Sequence, residues 1–90
     1  MNLDPVHRLL KLARGNSGQA ALVADFLLAW WNARSLGGFD PTILWALDDE
    51  ICADIIRCLH IIAETRQYPD SLGLEAAFEE LVRHWRPVDQ

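Results

Sequence analysis

His60 and Glu64 lie four residues apart. On one helix they stand a turn apart, where an imidazole and a carboxylate can share a cation. A zinc site needs three or four converging ligands. The sequence has no CxxC, no HExxH and no third ligand at a telling spacing. His60 therefore reads as a partly exposed residue beside a solvated carboxylate, and neither a metal nor a cofactor is expected. His84 falls near the end of a predicted helix, where a cation complements the helix dipole. His7 falls in the first turn of another and reads as surface.

Nucleophilic chemistry has as little to build on. Ser17 stands between Asn16 and Gly18 with no strand before it, so the strand-turn-helix setting of a nucleophile elbow is missing. Gly15-Asn16-Ser17-Gly18 also lacks the Lys and the strand of a phosphate-binding loop. Cys52 and Cys58 sit on the predicted apolar face of one helix, which raises a thiol pKa instead of lowering it. Six residues of helix put their Cα atoms about 9 Å apart, too far for a disulfide. Two buried free thiols in a reducing compartment are expected. No catalytic residue is assigned.

Polar residues in apolar company come next. Asp25 is surrounded by Val23, Ala24, Phe26 and Leu27, and a buried carboxylate must be paired. Arg8, Arg57 or Arg83 from a neighbouring helix are the expected partners, which makes Asp25 an inter-helix tie. Asn32, after Trp30-Trp31, has the same character.

The unusual composition is in the aromatics, with 4 Trp in 90 residues. Trp30 and Trp31 point about 100° apart on a helix, so burying both needs a central helix or a covering partner. Tryptophan is also enriched at binding hot spots. Trp30, Trp31, Asn32, Phe39 and Trp45 are the expected contact residues. Asp48, Asp49, Glu50 and Asp54 form an acidic group that reads as capping plus a solvated face, or as a contact for a basic partner.

The elements that position these residues are all helical. Asp4-Pro5 predicts an N-cap and a first helical residue, with a helix to about Arg14. Asn16 and Gln19 have capping-box spacing, and a second helix runs to about Arg34, closed by Gly37-Gly38. Twelve of the fourteen residues from Ala20 to Ala33 are apolar, which predicts a central buried helix. That run is too short for a membrane span, which needs about 20 residues. Asp40-Pro41 opens a short helix to Ala46, and Asp48 caps a helix from about Asp49 to Gln67. Hydrophobic staples are expected from Phe39 to Leu44 and from Leu47 to Cys52.

The long helix after Asp48 carries two apolar stripes, Ile51-Ile55-Cys58-Ile62 and Cys52-Ile56-Leu59-Ala63. Glu50, Asp54, Arg57 and Glu64 fall on its solvated back. Tyr68-Pro69-Asp70 breaks the chain. A last helix runs from about Leu74 to Trp85, and Arg86-Pro87 stops it. The tail Val88-Asp89-Gln90 is expected to fray. The fold class is all-α: one compact bundle of four main helices plus a short one, in a single domain over residues 1–90.

The whole chain agrees with this. It is 51% hydrophobic and 23% charged, with 5 Gly and 4 Pro, which excludes disorder and collagen-like repeats. A net charge of -5, with basic residues scattered singly, argues against direct nucleic-acid binding and against anionic membranes. The first five residues do not have the basic-then-apolar order of a signal peptide.

Several segments together carry a family likeness: Gly18-Gln19, Phe26 to Ala33, Gly37-Gly38-Phe39-Asp40, Leu44-Trp45, Tyr68-Pro69-Asp70 and Trp85-Arg86-Pro87. The chain resembles small uncharacterised proteobacterial proteins encoded in conjugative islands, plasmids and prophages. The resemblance implies a cytoplasmic accessory protein and supplies no activity. The expectation is a non-enzymatic module that binds a protein partner or a second copy of itself. An acidic inhibitor that engages a basic face of a host nucleic-acid-handling complex is the alternative.

Overall fold

The computed structural model describes residues 2–88; Met1, Asp89 and Gln90, the last two part of the expected frayed tail, lie outside them. Four α-helices form: α1 (Asp4–Ala13), α2 (Gly18–Asn32), α3 (Asp49–Thr65) and α4 (Glu75–Trp85). Two 3₁₀ helices, Pro41–Ala46 and Pro69–Leu72, sit in the connections on either side of α3. The all-α bundle expected from the sequence is what forms.

The helix starts differ from expectation in instructive ways. α1 begins at Asp4 itself, not after it, and the Asn2 side chain accepts the Asp4 N–H at 2.9 Å. Ser17, not Asn16, caps α2, its hydroxyl accepting the Ala20 N–H at 3.0 Å. Gln19 is thereby released from the expected capping box and reaches α3. Its Oε1 accepts the Asp48 N–H at 2.8 Å, and its amide donates to the Asp48 carboxylate at 3.4 Å. Asp48 holds the N-cap position but makes no side-chain cap bond. Asp40 does cap its 3₁₀ helix, accepting from the Thr42 N–H at 2.9 Å and hydroxyl at 2.8 Å. Those two donors hold the Asp40 carboxyl below its ordinary range.

The ends are as informative. α2 stops at Asn32, two residues before the expected Arg34, because the Asn32 side chain accepts the N–H groups of Arg34 and Ser35 at 3.2 and 3.1 Å. α3 stops at Thr65, with Arg66 in the left-handed conformation at φ 54°.

Hydrogen bonds at the helix ends fix the topology. Gln19 joins the start of α2 to the start of α3. The Trp30 indole N–H donates to the Gln67 carbonyl at 3.0 Å, joining the far ends. α2 and α3 therefore run in the same direction, so the chain must return between them. Residues 33–48 make that crossover. Gly37 lies so close to α2 that a Cβ there would stand 2.6 Å from the Asp25 carbonyl oxygen and 2.8 Å from the Leu28 carbonyl carbon. Further along, Phe39 sets its ring edge on Phe26, with centroids 5.0 Å apart. The Cys52 thiol donates to the Leu44 carbonyl at 3.1 Å and docks the 3₁₀ helix at the start of α3.

α1 packs against both α2 and α3 and touches α4, while α4 lies along α2. The core draws Val6, Leu9, Leu10 and Ala13 from α1, Val23, Ala24, Leu27 and Leu28 from α2, Ile55 and Cys58 from α3, and Phe78 and Leu81 from α4. Fully burying one such side chain contributes about 1.5–3 kcal/mol. The carboxyl-terminal end of α4 is pinned by its own polar atoms. The Trp85 indole N–H donates to the Ala13 carbonyl at 2.6 Å, and His84 Nε2 to the Gly15 carbonyl at 3.1 Å.

Two polar ties correct the sequence reading. Asp25 pairs with Arg86, not with Arg8, Arg57 or Arg83, and Arg86 also donates to the Leu36 carbonyl at 2.7 Å. One guanidinium thus joins the end of α4, the middle of α2 and the crossover. Asp54 is not on a solvated back. It is buried, at 8% exposure, between two arginines. Arg8 grips both its oxygens at 2.8 Å, and Arg57 donates to one of them at 2.8 Å. The Arg8 hydrogen bonds hold the Asp54 carboxyl below its ordinary range, against burial, which pushes it up.

Candidate functional site

The helix α3 carries more apolar surface than its neighbours cover. Only the Ile55–Cys58–Ile61 side enters the core. Past Cys52, which packs against the core, the second expected stripe is turned outward: Ile56 is 49% and Leu59 38% exposed, and Ala63 is exposed too. The reason is the rotation that Asp54 imposes. Placing that carboxylate between α1 and α3, on Arg8, swings the opposite side of the helix away from the core.

The outward stripe borders a groove. The crossover closes the gap between α2 and α3 near their starts and leaves it open near their ends. The open part is a recess of about 490 Å³. α2 supplies Phe26, Ala29 and Trp30 as one wall, and α3 supplies Leu59 and Ile62 as the other. Phe39 stands at the crossover end, and Arg66, Gln67 and Tyr68 at the opposite end. Half of the chain's 8 aromatic residues meet here, and Tyr68 remains 63% exposed. Among the lining residues, Arg66 alone is charged.

The residues singled out from the sequence do not fall on one surface. Trp30 and Phe39 line the groove. Trp31 and Trp30 each set an edge-on contact of 5.8 Å with Phe78, gripping the buried ring from two sides. Asn32 is exposed, and its side chain turns the chain out of α2. Trp45 is 86% exposed on the first 3₁₀ helix, remote in the fold from the groove's far end. Asp49 and Glu50 are exposed in the first turn of α3 beside Asp48, where the helix dipole favours negative charge. Asp54, the fourth member of the expected acidic group, is separated from them by its arginines.

Sequence reasoning missed Phe26, Leu59, Ile62, Arg66 and Tyr68 as members of one surface. The available signal was the double stripe on α3, wider than one buried face requires.

Burial pushes the Cys58 thiol up to about 12, which keeps it protonated. His60 and Glu64 are both exposed on α3. Among the described residues no three His, Cys, Asp or Glu converge as a metal site. No helix among them is long and apolar enough to cross a membrane.

Residues 3–86 match the profile of DUF7673, a family of unknown function. The chain belongs to the DUF7673 family. The matched segment of this DUF7673 chain includes the residues that line the groove and both partners of the Arg86–Asp25 pair. No curated protein and no solved structure matches it.

Proposed function

We propose that this chain is a non-enzymatic interaction module that holds a protein partner in the groove between α2 and α3. The observation that carries the reading is the gathering of Phe26, Trp30, Phe39 and Tyr68, with outward-facing Leu59, into one open apolar surface. Phe26 is the buried floor, Trp30 and Phe39 are half-buried walls, and Tyr68 and Leu59 are the exposed rim. An open apolar surface of this kind marks recognition sites, where aromatic anchors dominate binding energy. The reading includes a cytoplasmic setting and an accessory role in a mobile element. Two free thiols suit that setting, and the sequence resemblance supports the role. The rival acidic-face reading is weakened, because Asp54 is neutralised by Arg8 and Arg57.

The test is affinity capture from a bacterial lysate with nuclease added, using the tagged full chain. Leu59→Asp places a charge in the groove at a half-exposed position, so the fold persists and circular dichroism is unchanged. The expected result is one stoichiometric protein held by the wild type and lost by the variant. Equal recovery by both removes the groove from the account.

A further inference from the structure

Resting on that reading, we infer that the partner presents an amphipathic helix. It lies antiparallel to α2 and α3, with a carboxylate in its first turn set against Arg66.

The shape of the groove argues for a helix. Its two long walls are themselves helices running the same way, pinned together at both ends by Gln19–Asp48 and Trp30–Gln67. α1 fills one side of the gap between them, and the crossover fills half of the other. The open half is a vacant place in a helical bundle. From Leu59 to Arg66 the wall is two helical turns, about 10 Å. Leu59 and Ile62 on one side and Ala29 on the other leave a low centre between the bulky rings of Phe39 and Tyr68. A helix presenting apolar residues at i, i+3, i+4 and i+7 covers such a floor. The recess is open along its length, which suits an element of another protein laid across it.

The charge argues for the orientation. The two parallel helices put their carboxyl-terminal ends, the negative poles of their dipoles, at the same end of the groove. An incoming helix sets its positive N-terminal pole there when it runs antiparallel. Arg66 stands at that end with no carboxylate among the other lining residues. Acidic side chains are most favourable in the first turn of a helix, which is the turn that meets Arg66 in this arrangement. A single carboxylate is all the groove calls for, since the chain as a whole carries a net -5 and repels an acidic partner.

The backbone supplies an independent pointer. Arg66 occupies a left-handed helix end, φ 54°, where glycine is the favoured residue, as Gly73 is at φ 77° after the second 3₁₀ helix. A long cation at a position that costs backbone strain points to a role for the side chain.

The probe is a displayed library of random 16-residue peptides selected on the immobilised full chain. Enriched peptides are then titrated against wild type, Arg66→Lys, Arg66→Glu and Leu59→Asp, following tryptophan fluorescence. The expected peptides carry an apolar stripe at helical spacing with Asp or Glu in the turn preceding it. Their binding weakens by at least about tenfold in Arg66→Glu, is largely kept in Arg66→Lys and is lost in Leu59→Asp. Peptides that need Leu59 but carry no acidic residue, and bind Arg66→Glu as well as wild type, overturn this inference and leave the groove reading standing. Peptides indifferent to Leu59→Asp overturn both. A wild type that enriches no peptide but sediments as a dimer, split by Leu59→Asp, makes a second copy the occupant and overturns the helix partner.

Discussion

One side chain and one missing side chain fix the parts of this molecule that its apolar pattern leaves open. Gly37 is the missing one. Its hydrogen sits where a methyl group would meet the backbone of Asp25, Leu28 and Ala29 on α2. Backbone cannot yield as a flexible side chain does, so Gly37→Ala lifts the crossover from α2. We expect a loss of about 2–3 kcal/mol, read as a lower urea midpoint at unchanged slope. Gly18→Ala is the control, with open space around it, and leaves stability unchanged or slightly higher.

Asp54 acts through charge. Its carboxyl is held low by Arg8 and Arg57, so its contribution is present above the unfolded pKa of about 3.9 and is lost as pH falls through the lower native value. Both arginine side chains are more than half exposed, which screens the pair and limits it to about 1 kcal/mol. Asp54→Asn is therefore less stable than wild type at pH 7, and the gap closes below pH 4 in parallel thermal melts. A gap of the same size at pH 2.5 would show that packing, and not charge, sets the effect. Neither residue announced itself in the sequence. Gly37-Gly38 read as a simple helix stop, and Asp54 fell into line with Glu50 and Arg57 on a solvated face.

At the scale of elements, the helices were legible and their pairing was not. Each α-helix was foreseen to within two residues at either end because capping residues, prolines and apolar periodicity all point the same way. What periodicity cannot state is which of two apolar stripes on α3 turns inward. That choice depends on Arg8, forty-six residues away, reaching Asp54. The parallel course of α2 and α3 was hidden for the same reason, since Gln19 and Asp48 each looked like a local cap. The α2–α4 contact is where the tryptophans act as core. Phe78 is fully buried, with Trp30 and Trp31 edge-on to it. Phe78→Ala is expected to cost about 3–5 kcal/mol, much of the stability of a domain this size. Trp45→Ser, by contrast, leaves the melting temperature unchanged, because Trp45 is 86% exposed.

At the scale of the molecule, the bundle is closed on one side and open on the other. α1 and α4 seal the core, and the crossover stops short of sealing the gap beyond Phe39. The groove is thus a consequence of topology: two parallel helices need a return segment, and this one covers half of the gap it crosses. Of the contact residues expected from sequence, Trp30 and Phe39 belong to that surface, and Trp45 and the three acidic residues at the start of α3 do not. Placing a photo-crosslinking amino acid at Leu59 in the groove, and in a parallel sample at exposed Ala76 on α4, tests the claim most directly in living bacteria. We expect one protein crosslinked from position 59 and none from position 76. Crosslinking from position 76 alone, or equally from both, would contradict the claim.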